Sequence, residues 1–246
     1  MDTKNEVAVL VLENPFWPPA DDARSCSVRH FLEAQARYSD HMTVFYSTFF
    51  DGPGAIKALG MYLTQTKQQR QILYIAGHGG GSRLAGTNFK TLAEKIKENS
   101  PSGSGSIEGV MLASCFVGAQ VEPIKSMLRG SSIAWVYGYT CAVDWVDTAL
   151  IDLKLISILS SRACVGDLTS EEKLLDAFAQ GLGLFSSQHA VGTRVVKDEL
   201  GKQKEVPVAL EDAFSVVLQP RRQGKRPAVR TGAVRQRLAW NVTTEE

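Results

Sequence analysis

Cysteine is scarce in this sequence: four thiols, at positions 26, 115, 141 and 164, form neither a CxxC pair nor a Cys/His spacing that would hold a metal. A chain of 246 residues can build a core without disulfide staples, so the thiols are expected to be reduced and the compartment cytoplasmic, with no metal or organic cofactor. Long apolar runs are also missing. The best candidate for a membrane span, Val143 to Leu159, carries Asp144, Asp147, Asp152 and Lys154, and so reads as a buried helix of a soluble protein. The opening "MDTKNEVAVLVLENP" has only a six-residue apolar run and no small-residue cleavage site, so no secretory signal is expected. Nor is there an excess of one charge: 27 Lys plus Arg face 26 Asp plus Glu, which gives no reason to expect nucleic acid as a partner.

What is present is an alternation of short apolar runs with longer segments of helical period. Runs at Val7–Leu12, Thr43–Ser47, Ile72–Ala76, Gly109–Ala113 and Ala134–Tyr139 read as strands buried on both faces. Helical patterns between and after them, at 28–38, 55–66, 92–99, 121–129 and 143–160, supply the crossovers. The expectation is an α/β fold: an open, mostly parallel sheet of about six strands with helices on both faces. "TSEEKLLDAFAQGLGLF" adds a capped amphipathic helix, and Gly192–Val196 with Phe214–Leu218 could form a hairpin or supply a sixth strand with an excursion. Residues 1–219 are assigned to one domain. Residues 220–246 are set apart as a basic extension, because Arg221 to Arg237 holds seven cations and no carboxylate.

Reactive groups in an open parallel sheet collect where strands end at their carboxyl edge. Two such ends carry chemistry. "QILYIAGHGGG" runs into His78, and "IEGVMLASCFVGAQ" runs into Cys115; on neighbouring strands, the two would lie about one inter-strand spacing apart. A thiol attacks only once it is ionised, and a nearby imidazole can take its proton. The glycines after His78 leave backbone amides free to meet a substrate carbonyl oxygen beside the amide of Cys115. The glycine run fits no nucleotide fingerprint, since no Lys-Ser/Thr follows "GHGGGSR". Cysteine at a strand end is ordinarily a buried structural residue, the reading given to Cys26, Cys141 and Cys164. His30, His41 and His189 follow no buried strand and are read as structural.

The pair "ILYIAGHGG" and "EGVMLASC" resembles the two core motifs of the caspase-like cysteine peptidases, the group containing caspases, metacaspases, separase, gingipains and CHAT proteins. The compact size and "WVYGYTCAVDWVDTAL" are more similar to the bacterial caspase-like and CHAT domains. The resemblance implies a cysteine endopeptidase with Cys115 as nucleophile, His78 as the acid that protonates the leaving amine, and the amides of Gly79 and Cys115 as oxyanion hole. It further implies a protein substrate, a possible activating partner, and a place in a bacterial defence or cell-death module. Departures are visible: the caspase Q-A-C-[RQG]-G signature is absent, and small residues stand where metacaspases put an acid just ahead of the cysteine. The loop after the fifth strand would bring Tyr139, Asp144, Trp145 and Asp147 to the cleft, where a carboxylate would favour Lys or Arg at P1. Arg24 could instead receive an acidic P1. The alternative reading is a catalytically silent module of the same fold that binds a partner at this rim.

Overall fold

A computed structural model describes residues 6–15, 27–66, 70–101, 107–168, 170–198, 201–219 and 226–243. Its centre is a seven-stranded sheet in which five strands are parallel. β1 (Val7–Glu13) lies between β2 (Met42–Thr48) and β3 (Arg70–Ala76). Three two-residue strands, β4 (Gly79–Gly80), β5 (Arg83–Leu84) and β6 (Thr87–Asn88), form a small antiparallel meander directly after His78. The main sheet continues from β3 into β7 (Ile107–Ala113) and β8 (Trp135–Tyr139), both parallel. β9 (Ala142–Val143), β10 (Ala190–Lys197) and β11 (Gln203–Ala209) make a second three-stranded sheet, and β12 (Phe214–Leu218) and β13 (Ala228–Val229) close the main sheet antiparallel.

Period-two alternation sorts the strand residues to two faces. Val7, Val9 and Val11, then Ile72, Tyr74 and Ala76, pack toward α1 (Arg29–Arg37), α5 (Trp145–Cys164), α6 (Glu171–Leu182) and α8 (Thr231–Thr243). Ala8, Leu10 and Leu12, then Leu73 and Ile75, pack toward α2 (Gly52–Gln65), α3 (Phe89–Glu98) and α4 (Val121–Leu128). Residues 7 to 12 are at most 1% exposed, which is why the run shows no polar alternation. Helix starts follow the capping rules: the side chains of Asp51, Asn88, Asp144 and Ser170 each accept a hydrogen bond from an amide of the helix they precede.

The expected α/β sheet is therefore present, with seven strands rather than about six. Gly192–Val196 and Phe214–Leu218 do not pair with each other. The first belongs to the hairpin β10–β11, whose second strand is residues 203–209, and the second is β12 of the main sheet. The hairpin is mostly exposed and only Val191 and Val208 reach the core, so the segment 203–209 carries no buried apolar run to read. After β11, the single-turn α7 (Leu210–Ala213) leads into β12.

The segment set apart as a basic extension packs onto the body over residues 226–243. β13 pairs with β12, Val234 and Leu238 are buried in the core, and the Val216 amide donates to Thr231 Oγ1 at 3.0 Å. Its cations meet carboxylates: Arg230 pairs with Glu171 at 2.6 Å, Arg237 with Asp176 at 2.8 Å and Arg235 with Asp212 at 3.3 Å. The charge imbalance between tail and body is thus partly closed within the chain. No helix among the described residues is long and apolar enough to cross a membrane.

Candidate active site

β3 and β7 are neighbours, and their last residues, Ala76 and Ala113, are register partners. His78 and Cys115 each lie two residues beyond that pair. Past the strand ends the alternation continues: Tyr74, Ala76 and His78 from one strand, and Ala113 and Cys115 from the other, line one cavity of about 260 Å³. The rest of its wall comes from Val28, Ser114, Val143 and one face of α5. His78 is exposed at its mouth and Cys115 half-buried, while Tyr74 is buried within.

The backbone around Cys115 is tightly constrained. Phe116 adopts φ +63°, a left-handed conformation rare for a bulky residue, and its amide donates to the carbonyl of Cys141 at 3.1 Å. Gly118 then presses against β8: a Cβ there would lie 2.4 Å from the carbonyl of Gly138. On the opposite side, a Cβ on Gly79 would lie 2.0 Å from the Cys115 carbonyl oxygen and 2.8 Å from its amide nitrogen. Only glycine lets these two backbones approach so closely, and the amides of Gly79 and Cys115, named for the oxyanion hole, sit on these touching segments. The His78 carbonyl accepts a 2.7 Å hydrogen bond from Ala85, which ties the imidazole's backbone to the β4–β6 meander. From β9, the Val143 amide donates to Cys115 Sγ at 3.4 Å.

Helix α5 contributes Trp145, Thr148, Ala149 and Asp152, an i, i+3, i+4, i+7 face. Asp152 is 2% exposed. It accepts hydrogen bonds from Tyr139 Oη at 2.7 Å on Oδ1 and from Tyr74 Oη at 3.0 Å on Oδ2. Burial pushes its carboxyl up to about 7, against the two tyrosine donors that favour the anion. Burial foremost, then the nearby Asp152, holds the Tyr74 and Tyr139 hydroxyls well above their ordinary range.

Of the four residues expected in a substrate pocket, Trp145 lines the cavity, and Tyr139 sits behind it as a donor to Asp152. Asp144 and Asp147 do not line it. Asp144 is exposed, its carboxylate folded back onto the amides of Val146 and Asp147 as the helix cap, and Asp147 faces His189 at 3.5 Å. The acid in the wall is Asp152, which the sequence presented only as a polar position on a buried helix. A helical repeat starting from Trp145 would have found it. Arg24 and Cys26 lie outside the described residues, and so does the side chain of Cys164. Cys141 is buried, and desolvation pushes its thiol up to about 11. Among the described residues, no group of three or more His, Cys, Asp or Glu side chains could hold a metal ion.

No protein-family model matches the sequence, and no curated protein matches it significantly. Solved structures do match the fold. A secreted C11 cysteine protease from Bacteroides thetaiotaomicron, in complex with an irreversible peptide inhibitor, superposes with a TM-score of 0.50 at 9% identity over 86% of this chain. A second structure of a secreted C11 cysteine protease from that organism, "iotapain", gives 0.50 at 13% identity over 87%. The matches cover 65% and 66% of those chains, so this chain spans just under two thirds of their length. The fold is the mostly parallel α/β sheet of these neighbours.

Proposed function

We propose that this chain is a cysteine endopeptidase in which Cys115 attacks a peptide carbonyl and His78 is its proton partner. One observation carries the proposal: His78 and Cys115 follow register-paired residues of adjacent parallel strands and open on the same cavity. The reaction follows from the placement. His78 takes the thiol proton, Sγ adds to the scissile carbon, and the oxyanion forms beside the amides of Gly79 and Cys115. His78 then returns the proton to the leaving amine, leaving a thioester that water hydrolyses. The C11 protease fold agrees with this chemistry, and the motif resemblance assigns the same two residues.

The test is thiol labelling together with peptide cleavage. Iodoacetamide at neutral pH should alkylate Cys115 while leaving Cys141 protected by burial, and His78→Ala should slow Cys115 labelling by at least about tenfold. Cys115→Ala and His78→Ala should each remove peptidase activity with the melting temperature retained. Equal labelling of Cys115 with and without His78, and no cleavage, would leave the partner-binding module as the reading of this rim.

A further inference from the structure

One transverse row of the main sheet runs from the cavity to a buried acid. Ala113 of β7 pairs with Ala76 of β3, and Ala76 pairs with Glu13, the last residue of β1. Ala76 and Ala113 line the space that Cys115 opens on, whereas Glu13, one strand further along, does not. It is nevertheless only 3% exposed, at the sheet edge where binding and reactive groups collect. A carboxylate in such a place must find its donors within the protein. Oε1 accepts from the Val28 amide at 3.1 Å, and Oε2 accepts from Tyr46 Oη at 2.6 Å and from Ser27 Oγ.

Those partners lead back to the cavity. Val28 precedes α1 as its N-cap residue, brings no side-chain acceptor of its own, and is followed by no acid in the first turn. Glu13 therefore supplies from β1 both the acceptor and the negative charge that a helix start calls for. Ser27 Oγ in turn accepts from the Arg29 amide at 3.1 Å, a second tie between the carboxylate and the start of α1. Burial foremost, then the bond to Glu13, holds the Tyr46 hydroxyl well above its ordinary range, so it stays a donor. Val28 itself is buried, and it stands in the wall that His78 and Cys115 share.

Resting on the peptidase reading, we infer that Glu13 is a positioning residue for substrate: by holding the start of α1 against the sheet, it fixes Val28 as a wall that the bound side chain meets. Glu13 touches no reacting atom. Its effect passes through Val28, whose apolar contact with the substrate is the same before and during reaction, so it belongs to KM and not to kcat. Removing the carboxylate leaves the Val28 amide and the Tyr46 and Ser27 hydroxyls without their shared acceptor, and the start of α1 loses its tie to β1.

The experiment uses the whole chain and peptidyl coumarin amides carrying at P1 either the residue that a positional library selects or alanine, whose side chain ends at Cβ. Glu13→Ala should raise KM for the selected peptide at least about tenfold with kcat within about threefold, and the selected-to-alanine ratio of kcat/KM should fall by about the same tenfold. Val28→Ala should shift that ratio the same way, and the double variant should exceed the larger single loss by less than about twofold, because the two residues act as a unit. Glu13→Gln, which keeps an oxygen for the Val28 amide, should restore KM to within about threefold of wild type. Should Glu13→Ala fail to fold, Glu13→Asp decides: it withdraws the carboxylate by one carbon–carbon bond, roughly 1.5 Å, and should still raise KM at least about threefold. An unchanged ratio, a loss carried by kcat at constant KM, fully additive losses, or selection of glycine or alanine at P1 would each overturn the inference, while Cys115 labelling that still depends on His78 leaves the peptidase reading standing. No cleavage of any peptide, with that labelling indifferent to His78, would remove both.

Discussion

The Val143 amide points its hydrogen at Cys115 Sγ across 3.4 Å, so a two-residue strand far along the chain helps to fix the sulfur. That strand is itself held from outside. Val143 and Ala142 pair with Gly192 and Thr193 at the base of the β10–β11 hairpin, and a Cβ on Gly192 would lie 2.0 Å from the Ala142 carbonyl oxygen. Gly192→Ala must therefore push β9 away from its partner or from Cys115. The expected outcome is a fall in kcat/KM of at least about tenfold, since shifts on the ångström scale near reacting atoms carry such costs. Iodoacetamide labelling of Cys115 should change in parallel while the melting temperature falls only modestly. Unchanged kinetics would show that β9 does not position the thiol.

Gly79 offers a sharper test of the same packing. Its missing Cβ would overlap the Cys115 backbone, and carbonyl and amide atoms have no rotamer by which to move aside. Gly79→Ala should cost at least about 100-fold in kcat/KM, the loss associated with displacing one oxyanion donor. Gly80→Ala is the control, because a Cβ at Gly80 meets nothing within 4 Å. Comparable losses in both variants would mean that the glycine run supplies general looseness, not the specific approach of 79 to 115.

The sequence made the strand ends legible because buried parallel strands are uninterrupted apolar runs, and the two reactive residues follow two such runs. Residues 72–76 and 109–113 could be counted off directly, and with them His78 and Cys115. Two other parts of the molecule resisted the same reading for physical reasons. β10 and β11 are mostly exposed, so no burial pattern marks residues 203–209 as a strand. The sequence singled out Asp144 and Asp147 because loop carboxylates after a strand look available, whereas the carboxylate that lines the cavity is that of Asp152. Asp144 is consumed as a helix cap, and the cavity face begins one residue later, repeating at helical spacing to Asp152.

Residues 226–243 gave a charge pattern that suggested an extension, yet their stabilising contribution is apolar. Val234 and Leu238 are buried against the α6 side of the sheet, and Thr231 accepts from the β12 backbone. Truncation after Gln219 should cost about 3–6 kcal/mol from these two side chains alone. In a chain of this size that lowers the melting temperature by roughly 10 °C. Arg230→Ala, which removes a partly exposed ion pair, should cost no more than about 1 kcal/mol. A truncated chain melting within about 2 °C of the full one would identify residues 220–246 as a separate extension.

Asp152 also leaves a signature in stability that needs no substrate. Its carboxyl titrates at about 7 in the folded chain, above the value of about 3.9 for an unfolded aspartate, so the folded state holds its proton more tightly. The sign follows by linkage: the contribution is full below about pH 4 and is lost as pH rises toward 7, because the unfolded chain releases its proton first. Between pH 5 and pH 8 wild type should therefore lose on the order of 2–3 kcal/mol that Asp152→Asn does not. Urea unfolding of both proteins at the two pH values measures this directly, and groups common to both proteins cancel in the difference. A gap that stays constant, or widens toward pH 8 in favour of the aspartate, would mean that the two tyrosine hydroxyls stabilise the anion enough to outweigh its burial. The carboxylate would then already be charged in the empty pocket at pH 6.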